Sequence, residues 1–181
     1  MVFKRTAVDG AFIIQIQPAA DDRGWFARTS CSREFQQQGL VGEFVQCSLS
    51  YNLRRGTLRG LHFQASPHEE TKLVRCIRGA IHDVIVDLRR DSQTFQTWDA
   101  VELTADNHLA LYIPEGVAHG FITLQDDTEV FYQIDGFYEP AAARGIRWND
   151  PVFAIRWPCE PTVISDRDMS HPDFRADSDL R

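Results

Sequence analysis

The stretch Leu73-Val74-Arg75-Cys76-Ile77-Arg78-Gly79-Ala80-Ile81-His82-Asp83-Val84-Ile85-Val86-Asp87-Leu88 holds two short apolar runs, rich in valine and isoleucine, parted by Arg78-Gly79. Runs this short, bounded by turn residues, read as buried strands rather than helices. The predicted strands are therefore residues 73–78 and 80–88. Working outward, the same pattern predicts strands at 12–17, 43–50, 56–63, 97–103, 109–113, 120–124 and 128–134. Pro114-Glu115-Gly116, Asp126-Asp127 and Asp135-Gly136 supply turn chemistry between them. Only residues 32–38 and the tail after Ile164 read as helical. Many closely spaced strands predict an all-β protein, a sandwich or barrel of the jelly-roll type with short flanking helices. Neither a repeat nor a low-complexity linker interrupts the pattern, so one domain is expected over 1–181, with a polar end from Asp173 that frays.

Composition narrows the function classes. The chain has 181 residues, 43% hydrophobic and 25% charged, enough for one domain with a sizeable core. Apolar runs fall well short of the roughly 20 residues of a membrane span, and no apolar run follows the basic start, so a cytoplasmic protein is expected. A net charge of -7 disfavours nucleic-acid and membrane surfaces as partners. An anionic ligand would have to be met by a local basic patch. Cys31, Cys47, Cys76 and Cys159 are widely spaced, which predicts free thiols rather than disulfides or a zinc site.

Chemistry concentrates around Leu58-Arg59-Gly60-Leu61-His62-Phe63-Gln64. A histidine with Arg59 nearby and Lys72 ten residues on suits proton abstraction beside a carbonyl on an anionic substrate. Strict alternation places Leu58, Gly60 and His62 on one face and Arg59, Leu61 and Phe63 on the other, where His62 is equally a satisfied lining residue. Lys72 and Asp83 read either as site groups or as an ordinary ion pair, because a carboxylate in an apolar run needs a partner. His119 follows the Pro114-x-Gly116 turn as a metal ligand, a phosphate contact or a rim residue. Tyr132 shares a strand face with Val130 and Ile134, so its ring is either core or site. In Ser165-Asp166-Arg167-Asp168, Asp168 either completes a capping box or reaches His62 as a triad acid reaches its base.

Together these motifs resemble one family. The run from Leu58 to Gln64, Lys72-Leu73-Val74-Arg75-Cys76, Asp83 to Arg89, Ile113-Pro114-Glu115-Gly116-Val117-Ala118-His119-Gly120-Phe121 and Ile146-Arg147-Trp148-Asn149-Asp150-Pro151 occur in the order seen in dTDP-4-dehydrorhamnose 3,5-epimerases, across nearly the whole chain. The resemblance implies a cupin-type jelly roll and a homodimer that exchanges N-terminal strands. It implies a dTDP-4-dehydro-6-deoxyglucose substrate on a route to rhamnose-type deoxysugars, and no metal or organic cofactor.

By that resemblance His62 is the general base, Asp168 its carboxylate partner, Lys72 the enolate stabiliser and Tyr132 the acid on the opposite face. Arg59 and Gln46 match diphosphate or sugar contacts, and Asp83 and His119 match pocket-lining positions. Arg23 would reach a neighbouring subunit's nucleotide, with Phe26 and Arg28 at the nucleotide base. Arg28 stands where many members carry an acid, and Gln133 stands where a lysine often follows the tyrosine. A single 3- or 5-epimerisation of a related 4-keto nucleotide sugar is therefore the alternative. Two readings come from other classes. One is a metal-dependent cupin oxygenase or isomerase using His62, His68, Glu70 and His119; the other is a noncatalytic sugar-nucleotide-binding module.

Overall fold

The run Ala80–Asp87 is a strand covered on both faces, which is why its sequence is almost continuously apolar. It is the eighth strand of a computed structural model that describes residues 1–176. In chain order the strands are β1 (Val2–Arg5), β2 (Phe12–Gln15), β3 (Ala19–Asp21), β4 (Gly24–Phe26), β5 (Gln46–Asn52), β6 (Leu58–Gln64), β7 (Lys72–Arg78) and β8 (Ala80–Asp87). They continue as β9 (Trp98–Thr104), β10 (Ala110–Ile113), β11 (Val117–Thr123), β12 (Thr128–Ile134) and β13 (Ala143–Gly145), with α1 (Ser32–Gln37) and α2 (Asp166–Met169). The antiparallel strands form a six-stranded sheet, β1-β2-β10-β7-β12-β5, and a five-stranded sheet, β13-β6-β11-β8-β9, while β3 and β4 make a separate hairpin.

Three apolar clusters fix the layers. Val74, Cys76, Leu111 and Val130 of the larger sheet meet Ile81, Ile85, Leu103 and Phe121 of the smaller one. Behind the smaller sheet, Leu61, Val84, Val86 and Ala118 are covered by Ile146, Phe153 and Phe174 of the C-terminal segment. Behind the larger sheet, Phe35 of α1 packs on Ile14, Leu73 and Tyr112. The expected all-β sandwich is thus borne out. All four cysteines are free, and burial pushes the Cys76 thiol up to about 11. Among the described residues, no helix is long and apolar enough to cross a membrane.

The differences from the sequence reading lie where hydrophobic signal is weak. β3 and β4 are exposed throughout and β1 nearly so, and such strands carry no buried stripe to detect. β5 begins at Gln46 rather than residue 43, and β11 starts at Val117, three residues before the expected position. Within the described tail, Asp166–Met169 forms a single helical turn. Residues 177–181 of the expected frayed end lie outside the described residues.

Candidate active site

A cavity of about 620 Å³ lies between the sheets. Lys72 and Tyr132 enter it from β7 and β12 of the larger sheet, and His62 and His119 from β6 and β11 of the smaller one. The segment Ser165–Asp168 closes one side. Arg59, Lys72, Arg144 and Arg167 face it against only two carboxylates, Glu70 and Asp168. An acidic chain therefore presents a cationic cavity, and such a wall attracts an anionic ligand.

A bulge sets the direction of the β6 side chains. Phe121 is the register partner of Arg59, but His119 is the partner of His62, so three residue steps on β6 oppose two on β11. The extra residue puts Arg59 and His62 on the same face, where strict alternation would separate them. Gly60 sits in this bulge with φ +122°, and a Cβ there would stand 2.5 Å from Gly120 Cα. Gly60→Ala is expected to destabilise the protein by about 3 kcal/mol or more, measured by urea unfolding, because both conformation and backbone contact oppose a side chain.

Two His–carboxylate pairs flank the cavity. His62 Nε2 lies 2.7 Å from Asp168 Oδ1, and Asp168 Oδ2 accepts from the Gly60 amide at 3.3 Å. Burial pushes the Asp168 carboxyl up. The hydrogen bond and charge of His62, the Gly60 amide and the Ser165 contact outweigh it and hold the group below the usual carboxylate range. An ionised carboxylate only accepts, so Nε2 carries the imidazole proton and Nδ1 keeps the lone pair. Ser165 Oγ meanwhile accepts from the Asp168 amide at 3.1 Å. Ser165 is thus a helix cap, while the Asp168 carboxylate serves the histidine instead of completing a capping box. The second pair joins His119 Nε2 to Asp83 Oδ1 at 2.6 Å. Asp83 is fully buried, and its Oδ2 has no hydrogen-bond partner among the described residues.

The depressed Asp168 pKa has a definite sign in stability. A carboxyl titrating lower in the folded than in the unfolded state contributes stability above its unfolded value of about 3.9 and loses it as pH falls through the folded value. The unfolding free-energy difference between the parent and Asp168→Asn is expected to be flat above about pH 5 and to shrink below about pH 4. Urea titrations across that range measure it.

Across the cavity, the Tyr132 phenol is held far above its ordinary range, first by burial and then by the Asp83 charge, against the opposing pull of Arg59. It therefore stays protonated. Its ring stands edge-on to His119, with centroids 5.9 Å apart. Lys72 Nζ lies 2.9 Å from Glu70 Oε1. Arg59 is braced by Asn52, whose Oδ1 accepts from its Nε at 2.7 Å. The arrangement is a histidine paired with a carboxylate, a protonated phenol on the facing sheet, and a lysine beside the same space.

Comparison with known proteins gives the arrangement its family. The family model for dTDP-4-dehydrorhamnose 3,5-epimerase matches residues 5–176. The chain belongs to the dTDP-4-dehydrorhamnose 3,5-epimerase family. The enzyme of that name from Methanothermobacter thermautotrophicus is 43% identical, covering 96% of this chain and 94% of its own length. Among solved structures, the Elizabethkingia anophelis dTDP-4-dehydrorhamnose 3,5-epimerase superposes with a TM-score of 0.94 at 36% identity, covering 99% of this chain and 98% of its own. The Bacillus anthracis one, solved with TDP and PPi bound, gives 0.90 at 41% identity, covering 96% and 100%. The protein is therefore an epimerase with a cupin-type jelly roll.

Within this epimerase fold, His62, Lys72, Tyr132, Asp168, Arg59 and His119 meet at one cavity. Asp83 is a correction: it does not line the cavity but sits behind His119, and its partner is that histidine rather than Lys72. Gln46, expected at the diphosphate or sugar, stands beside this lining, where its Oε1 accepts from the amide of the lining residue Tyr138 at 2.9 Å. Arg23, Phe26 and Arg28 also lie away from this chain's own cavity: Arg23 pairs with Asp21, Phe26 is 81% exposed, and Arg28 pairs with Glu34. The donor set His62, His68, Glu70 and His119 does not form a group with metal-ligand spacing among the described residues; His62, Glu70 and His119 pair instead with Asp168, Lys72 and Asp83. Among the described residues, the one group with metal-ligand spacing is His62, Asp168 and His171, within 4.8 Å of one another. Sequence reasoning missed Arg144, which sits on a strand too short to predict, and Arg167, masked between two aspartates.

Proposed function

We propose that this epimerase converts dTDP-4-dehydro-6-deoxy-D-glucose by inverting C3 and C5 in turn. The observation that carries the reading is the placement of His62 and Tyr132 on opposite sheets of one cavity, with Lys72 beside them. Protons at C3 and C5 are both α to the C4 ketone, whose carbonyl acidifies them without further assistance. His62 Nδ1 removes one, the electron pair moves to the C4 oxygen, and the Lys72 ammonium stabilises the resulting enolate. Tyr132 then delivers its proton to the other face of the same carbon, and solvent exchange resets both groups before the second carbon reacts. Asp168 orients the imidazole and stabilises the imidazolium. Arg59, Arg144 and Arg167 are assigned to the diphosphate, as bidentate cations suited to phosphate oxygens.

The exposed hairpin supports a homodimer in which Arg23, Phe26 and Arg28 reach the nucleotide of a second copy. Leu49, Tyr51 and Val45 project from or beside edge strand β5 and are about half exposed, an apolar stripe that a second copy of the chain would cover. Light scattering is expected to give twice the 20.7 kDa chain mass. The activity itself is tested by incubating the protein with dTDP-4-dehydro-6-deoxy-D-glucose and resolving the products by NMR. Conversion to dTDP-4-dehydro-L-rhamnose is expected. Inversion at one carbon establishes the single-site alternative, and dTDP binding without turnover establishes the noncatalytic one.

A further inference from the structure

Lys72 does not face the cavity alone. Its partner Glu70 is as enclosed as the lysine, with 9% of each side chain exposed. The other Glu70 oxygen accepts from Gln64 Nε2 at 2.9 Å. Gln64 is fixed in turn: its Nε2 also donates to the His68 carbonyl at 3.0 Å, and its Oε1 accepts from the Glu139 amide at 2.8 Å. Gln64, Glu70 and Lys72 all line the cavity, so the chain of contacts ends at the reacting space.

This has a physical consequence. An exposed lysine pair swings among rotamers and contributes little. An enclosed pair whose carboxylate has its second oxygen satisfied is held in one geometry, and breaking it leaves an uncompensated charge. A ligand entering the cavity removes water from the ammonium, and a desolvated ammonium without a counter-charge is disfavoured. Glu70 supplies that counter-charge from a side chain that Gln64 prevents from turning away.

We propose that Glu70 is a positioning residue for the epimerisation: its carboxylate, locked by Gln64, fixes the place of the Lys72 side chain at the cavity wall. The inference rests on the assignment of Lys72 to the C4 oxygen and goes beyond it by naming the group that makes the lysine fit for that task.

Glu70→Gln preserves size while removing the charge and one of the two oxygens that accept from Lys72 and Gln64. It is expected to lower kcat by about 10- to 100-fold while KM and the dTDP dissociation constant move less than about threefold. Lys72→Met alone should lower kcat by about 10²- to 10³-fold, the cost of losing one oxyanion donor. Adding Glu70→Gln to Lys72→Met should then cost less than about threefold more, because a residue acting only through the lysine has nothing left to act on. A Glu70→Gln enzyme with the parent's kcat, beside a slow Lys72→Met enzyme, overturns this inference alone. A Glu70→Gln loss that persists in full in the Lys72→Met background also overturns it. Lys72→Met at the parent's rate overturns instead the assignment on which the inference rests.

Discussion

Replacing His62 with asparagine is expected to lower kcat on the order of 10³- to 10⁴-fold, the upper part of the range for loss of a positioned general base. The reason is geometric. His62 is the cavity histidine whose Nε2 is engaged by an ionised carboxylate, leaving Nδ1 as the basic nitrogen, whereas His119 is buried with Asp83 in a pair of its own. Asparagine offers no comparable base. With the imidazole proposed at the sugar ring and the arginines at the diphosphate, dTDP affinity should change less than about threefold. Exchange of solvent deuterium into C3 and C5 should vanish together with turnover, and NMR of the recovered nucleotide sugar measures both.

The second large effect separates the two faces of the ring. Tyr132→Phe removes the proton donor and leaves the His62–Asp168 pair untouched. Inverted product should form about 10²- to 10⁴-fold more slowly, the usual range for loss of a general acid. Deuterium should still enter the substrate with its configuration retained, because His62 can return a solvent-derived proton to the face from which it took one. Exchange without inversion is the signature expected of this variant. The phenol is suited to the part: burial and the Asp83 carboxylate keep it protonated. Asp83 holds His119 and biases Tyr132 without touching the ligand space itself.

The sequence was legible where burial and periodicity agree. The turn at Gly79 and the apolar runs around it gave β7 and β8 within a residue, because the sheet they build is packed against apolar neighbours. The site was legible in its residue types but not in its directions. A two-residue repeat put Arg59 and His62 on opposite faces, and only the bulge at Gly60, which requires the facing Gly120, brings them together. Asp83 and Lys72 looked like partners because each needed an opposite charge. Three-dimensional packing gave each a different one, His119 and Glu70. At Ser165-x-x-Asp168, backbone and side chain serve separate roles, so the helix cap and the histidine contact coexist and local pattern could not choose between them. The hairpin β3–β4 left no trace because its residues are exposed and carry no buried stripe.

The central claim is that one imidazole and one phenol, on facing sheets, exchange a carbon-bound proton for a solvent proton with inversion. The most direct test is turnover of dTDP-4-dehydro-6-deoxy-D-glucose by the parent protein in D₂O, with position-resolved NMR of the product. The account predicts an L-configured product carrying solvent deuterium at both C3 and C5. An inverted product that retains its original hydrogen at those carbons would contradict it.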